Sequence, residues 1–249
     1  MPSLGSHLAR AIVVADRLAL PVIDADRGAY YLGATAPDIR VMLQVDRRET
    51  HFYDLDDFAE QDSIARMFEA HPGLADGGLE DATRAFMAGY LTHLVLDETY
   101  IAEVYRPCFG AYSTIDDDPR SDILDRALQY EVDVRDRSDR PRMRSVRAAL
   151  AAAGRIGGIP FIEDARLEEW ATRVDDIATR PADYSRFAQT LTRHLGRDAM
   201  GGGDSIREAC ANPSVLVAEA YTVVGEERVA RFIEHADERA AERVRGFLQ

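Results

Sequence analysis

The stretch from Leu79 to about Tyr105 constrains this chain more than any other. Apolar and aromatic residues recur there at helical spacing, which predicts one long helix with Phe86, Tyr90, His93, Leu94 and Asp97 on a single face. Gly89 lies in the same stretch and permits close approach of a neighbouring backbone. His93 and Asp97 are four residues apart, one turn along that face, so both side chains can meet one cation. The alternative for an isolated His-x-x-x-Asp pair is a buried imidazole whose ring N–H is held by the carboxylate.

The rest of the chain also reads as helix. A helix is expected from Ser6, as its N-cap, to about Leu20, placing His7 in a first helical turn. Residues 28–38 read as a short helix stopped by Pro37, with Asp38 opening a loop. Residues 47–58, which include His51, follow neither period and read as irregular structure. Further helices are expected over 121–138, 143–154, 164–178, 183–197, 204–211 and 214–245, with the glycine-rich segments at 154–160 and 201–203 as connectors. Neither segment follows an apolar strand or leads into the Lys-Ser/Thr pair of a phosphate loop. No β-alternation or internal repeat is present, so the expectation is one all-α domain over 1–249, with a metal-site half at 1–105 and a helical remainder at 106–249.

Charge and cysteine content narrow the function. Among 249 residues, 44 acidic side chains face 30 basic ones, every basic one an arginine, for a formal charge of -14. Such a field repels phosphate polymers and argues against nucleic acid as a partner, while leaving room for a local arginine pocket such as Arg47 or Arg48 around one small phosphate. Cys108 and Cys210 are too few for a disulfide framework, which points to a reducing compartment and leaves any metal to His and carboxylate ligands. No apolar leader or spanning segment is legible, so the reading is a cytoplasmic protein with no stable membrane anchor. The charged last helix suits a solvated face, a homodimer seam being the alternative.

His7, Asp38 and His51 all lie beside structural boundaries in the N-terminal half, where they can converge on His93 and Asp97. Imidazole with carboxylate suits zinc, with manganese or iron as alternatives, whereas calcium prefers oxygen alone. Three segments carry a resemblance: Gly33-Ala34-Thr35-Ala36-Pro37-Asp38, Arg48-Glu49-Thr50-His51-Phe52, and Gly89-Tyr90-Leu91-Thr92-His93-Leu94-Val95-Leu96-Asp97-Glu98. Together with the early His7 they resemble the zinc-dependent phospholipase C family, in a branch without a leader, over about residues 1–105.

The resemblance implies a multi-helix bundle in which Asp38, His51, His93 and Asp97 share one metal site and Asp97 bridges toward a second ion held by His7, hence one or two zinc ions. The chain departs from the family in having no His between His93 and His194, where two further ligand histidines and a Glu are expected. Glu98, Glu131 and Asp133 are candidate replacements, with a solvated helix face as the plainer role for each.

The expected function is a metal-dependent hydrolase, a phosphodiesterase acting on a small or lipid-derived phosphate ester, with Asp38 orienting or deprotonating the water. The alternative is a non-phospholipase metal-binding protein whose reduced site serves a structural, regulatory or different catalytic role. An HD-type phosphohydrolase fits less well, because the chain lacks an adjacent His-Asp pair. His71, His194 and His235 read as surface imidazoles, and Tyr30, Tyr31, Phe52, Tyr53 and Tyr90 as core or as an apolar mouth, with Tyr31 and Tyr90 assigned to the core.

Overall fold

The computed structural model describes residues 2–75, 78–116, 120–181, 183–189, 191 and 212–249. Among these the fold is all-α: every regular element is a helix, and no strand occurs. None of the helices is long and apolar enough to cross a membrane. The expected helix at 204–211, part of the one at 183–197, the Gly201–Gly203 connector, Cys210 and His194 lie outside the described residues.

The chain forms two compact units that interleave along the sequence instead of dividing at residue 105. One comprises residues 4–98, 139–180 and 236–249 and contains all five candidate ligands. It is built from α1 (Leu4–Leu18), α2 (Pro21–Ala25), α3 (Arg27–Gly33), a 3-10 turn (Ala36–Ile39), α4 (Arg40–Leu43), α5 (Arg48–His51), α6 (Ser63–Ala70), a second 3-10 turn (Pro72–Leu74) and most of α7 (Asp81–Tyr100). Two later helices, α10 (Arg140–Ala151) and α11 (Asp164–Thr179), complete it with the C-terminal part of the last helix.

From Ala85 to Ile101 every residue of the α7 stretch is buried, so this helix is wrapped on all sides instead of lying on a surface. Two glycines set how closely α3 crosses it. A Cβ on Gly33 would stand 1.9 Å from the Phe86 carbonyl oxygen, and one on Gly89 would stand 1.9 Å from that of Tyr30. Backbone therefore meets backbone at the crossing, where no side chain fits between. Gly28 does the same toward α10, where its Cβ would fall 2.1 Å from the Ala149 carbonyl oxygen. Tyr30 ties the crossing together through its hydroxyl, 2.8 Å from Thr92 Oγ1, and Trp170 of α11 donates its indole N–H to Thr35 Oγ1 at 3.2 Å.

The second unit comprises residues 1–3, 99–138 and 181–235. Here α7 runs through one π-helical turn (Ile101–Tyr105) into α8 (Arg106–Cys108), followed by α9 (Ser121–Asp136), a 3-10 turn (Tyr184–Arg186) and α12 (Pro213–Val224), which packs on α9. Its core carries a satisfied polar network: Tyr100 donates to Asp125 at 2.5 Å, and Gln129 donates to the other Asp125 oxygen at 2.6 Å.

Local expectations change in four places. Helix α1 begins at Leu4, so Ser6 is a buried residue inside the first turn and not its N-cap. Pro37 does not stop a helix but sits in the first turn of the 3-10 helix, where its missing N–H costs no bond, and Asp38 belongs to that turn instead of opening a loop. The irregular segment at 47–58 contains the one-turn α5, closed by Phe52 in the left-handed region (φ 54°). The single helix expected over 214–245 is two, α12 and α13 (Glu226–Leu248), because Gly225 at φ 81° turns the chain between them.

The glycine crossing yields a direct test. Gly89→Ala should destabilise the protein by about 3 kcal/mol or prevent folding, because the new methyl meets backbone that cannot rotate away. Gly73→Ala, whose Cβ would meet nothing within 4 Å, should stay within about 0.5 kcal/mol of the parent in urea unfolding.

Candidate metal centre

Each ligand side chain is aimed by a specific local device. Ala34 ends the α3 segment at its crossing with α7, and its carbonyl oxygen lies 2.9 Å from His93 Nδ1. A carbonyl only accepts, so Nδ1 carries the proton and the His93 Nε2 lone pair is left facing the cluster. His51 is the last residue of α5, where the left-handed Phe52 returns its N–H to the Arg48 carbonyl at 3.2 Å. Phe52 holds that conformation by packing its ring on His71 and Phe161. The His51 ring plane is set by Thr50 Oγ1, 3.0 Å from Nδ1, and Tyr90 anchors the turn by donating its hydroxyl to the Thr50 carbonyl. His7, in the first turn of α1, stacks flat on His93 with ring centroids 3.6 Å apart and planes 8° from parallel.

The five predicted side chains converge. His51 Nε2 lies 3.3 Å from His93 Nε2 and 3.3 Å from Asp97 Oδ2, while His93 Nε2 and Asp97 Oδ2 are 3.6 Å apart. Asp38 Oδ1 is 3.6 Å from His51 Nε2, and His7 Nε2 is 3.3 Å from the other Asp97 oxygen, Oδ1. Two groups of three can be drawn, His51–His93–Asp97 and His7–Asp38–His93. Donors bound at 2.0–2.1 Å to a tetrahedral ion stand about 3.3–3.4 Å from one another, which is the spacing of the first group. His7 Nε2 and Asp97 Oδ1 are fully buried and make no hydrogen bond, so donor atoms are presented to one another with nothing to satisfy them. These His/Asp clusters could bind a metal ion.

The cluster is closed except on one side. His7, His51, His93 and Asp97 are each at most 2 % exposed, whereas the Asp38 side chain is 21 % exposed. Arg47, four residues before His51 and on the same side of the α5 turn, reaches inward and donates from one terminal nitrogen to Asp97 Oδ2 at 2.7 Å. Its Nε and other terminal nitrogen are buried and have no hydrogen-bond partner.

Burial opposes ionisation of Asp97, but Arg47 and His93, with His51 and His7 close beside it, hold it well below the usual carboxylate range. Asp38 is likewise held low against burial by the neighbouring His51, His93 and His7. Burial and the neighbouring His93 push His7 down to about 4 despite the pull of Asp97 and Asp38. His51 is lowered by burial and by Arg47. Ionised carboxylates beside neutral imidazoles are the protonation states in which these groups bind metal.

The remaining candidates find partners elsewhere. Arg48 pairs with Asp46 and Asp54 at the surface and does not face the cluster. Glu98 accepts the Ser63 backbone N–H at 2.5 Å and lies 3.6 Å from Arg239. In the second unit, Glu131 accepts from the Tyr184 hydroxyl, and Asp133 binds Arg137 and Ser3. Tyr30, Tyr31, Tyr53 and Tyr90 are buried core residues, so none forms a mouth. His71 is no free surface imidazole, since its ring packs on Phe161 at 4.8 Å; His235 is exposed and paired with Glu103. Sequence reasoning placed Arg47 only as a substrate contact and missed its grip on Asp97; the spacing of four from His51 points to it once α5 is known to be helical.

No model of a known protein family, no curated protein and no solved structure matches this chain.

The buried histidines set a pH dependence for the metal-free protein. His7 titrates near 4 when folded and near 6.5 when unfolded, so between these values the unfolded chain binds more protons. Stability therefore rises with pH across that window, and His51 acts in the same sense. Below about 4, protonation of Asp38 and Asp97 in the unfolded chain removes more. Urea unfolding with chelator present should show about 2 kcal/mol less stability at pH 5 than at pH 7 from His7 alone, and His7→Gln should flatten that slope.

Proposed function

We propose that this protein is a metal-dependent hydrolase of phosphate esters, with zinc as the preferred ion and manganese or iron as substitutes. The observation that carries the reading is the buried His51–His93–Asp97 group at 3.3 to 3.6 Å, bordered by the one partly open carboxylate, Asp38. In this reading His51, His93 and Asp97 hold the ion, and His7 and Asp38 complete its surroundings. The ion would lower the pKa of a bound water to near neutral and offset charge on the phosphoryl oxygens.

The chain's own groups supply the rest. Asp38, ionised and open on one side, accepts the proton of the attacking water. Hydrogen bonds to the Ala34 carbonyl and with Thr50 keep the two imidazoles in one orientation, so that no ring has to turn during turnover. Arg47 keeps Asp97 ionised and fixed. The similarity of these segments to the zinc-dependent phospholipase C family supports a phosphodiester substrate, and the net charge of -14 favours a small or dispersed ester over an anionic bilayer.

A second reading has its own support. Four of the five candidate ligand residues are at most 2 % exposed, as a metal site that only stabilises the fold would be. The two readings part on turnover. Under the hydrolase reading, chelation abolishes cleavage of a phosphodiester panel and zinc or manganese restores it. Asp97→Asn should lose the metal, while Asp38→Asn should keep it and lower kcat by about a hundredfold or more. A zinc-loaded protein that cleaves neither phosphomonoesters, soluble diesters nor dispersed phospholipid would overturn the hydrolase reading in favour of the structural one.

A further inference from the structure

Arg47 is an unusual occupant of a cluster built for cations. Its guanidinium cannot lose its proton, is buried to about nine-tenths, and has Asp97 Oδ2 as hydrogen-bond acceptor while Nε and the other terminal nitrogen have none. A guanidinium fitted for hydrogen bonding would have its donors matched; this one is held by charge. Removing such a group from water is repaid only where the surroundings are strongly negative. Arg47 therefore already neutralises part of the cluster before any metal arrives.

The charge count then limits the metal. With both carboxylates in the ionised form that metal binding requires, Asp38 and Asp97 with Arg47 leave the cluster one negative charge, which a single dication turns to plus one. A second dication would bring a buried, nearly closed site to plus three, beside a guanidinium that cannot deprotonate. The lone pairs point the same way. His93 Nδ1 is committed to the Ala34 carbonyl, so its Nε2 can serve only one of the two ligand groups that share it. Once His51, His93 and Asp97 Oδ2 hold one ion, only His7 and Asp38 of the other group remain, with Asp97 Oδ1 3.3 Å from His7 Nε2. Arg47, bound to the other oxygen of Asp97, adds its positive charge against filling that position.

We infer that this protein binds one divalent ion per chain, and that the Arg47 guanidinium stands in for the second cation of a two-ion cluster. The inference rests on the metal-binding reading above but not on hydrolysis. It is tested by the zinc content of the purified full chain after dialysis against free zinc, with titration calorimetry for the stoichiometry and circular dichroism to confirm folding. The parent and Arg47→Lys, which keeps the charge, should each hold one zinc. Arg47→Gln, which removes the charge and keeps the bulk, should hold two. Two zinc ions in the parent would overturn the inference while leaving metal binding intact, and one zinc in folded Arg47→Gln would overturn the role of Arg47. No zinc in any of the three would overturn metal binding itself and this inference with it. If Arg47→Gln does not fold, the parent and Arg47→Lys still decide the count.

Discussion

Five ionisable side chains sit inside a helical core, and the structure tolerates them because each is aimed at another. His93 is the centre of that arrangement. Its Nδ1 proton is taken by the Ala34 carbonyl, its face is covered by His7, and its Nε2 looks at His51 and Asp97. None of this is possible unless the backbone of α3 can reach the backbone of α7, which is what Gly33 and Gly89 allow. A close helix crossing thus determines a tautomer, and the tautomer determines which nitrogen is available as a ligand.

Asp97 plays the complementary part. Its two oxygens face different neighbours: Oδ1 lies beside His7, and Oδ2 beside His51, His93 and Arg47. Burial alone would favour the neutral acid, so its ionised state is a property of the assembled cluster and not of the residue. The same holds for His7 and His51, which burial keeps neutral at pH values where free imidazole begins to charge. Cluster and core therefore depend on each other, since loosening the packing would readmit water and return each group to its ordinary titration.

The second unit has the opposite character. Its buried polar groups, Tyr100, Asp125 and Gln129, satisfy one another, and Asp133 is matched to Arg137. Matched donors and acceptors rigidify a core, whereas His7, Asp97 and Arg47 carry buried atoms without a hydrogen-bond partner, within a cluster that could bind a metal ion.

The all-helical class, the central α7 and the five-residue set were all legible in the amino-acid sequence. Helical periodicity and the four-residue step from His93 to Asp97 are local properties that survive without tertiary context. Pro37 and residues 47–58 misled because a 3-10 turn and a one-turn helix are too short to leave a period, and Gly225 because a lone glycine does not announce its φ. The inward turn of Arg47, in place of its neighbour Arg48, was decided only by packing. Adjacent arginines are chemically identical in sequence, and which one meets Asp97 depends on how α5 is rotated against α7. Sequence named the residues that converge, while tertiary structure chose their protonation states and their counter-ion, because both follow from distances of a few ångströms between residues up to 90 positions apart.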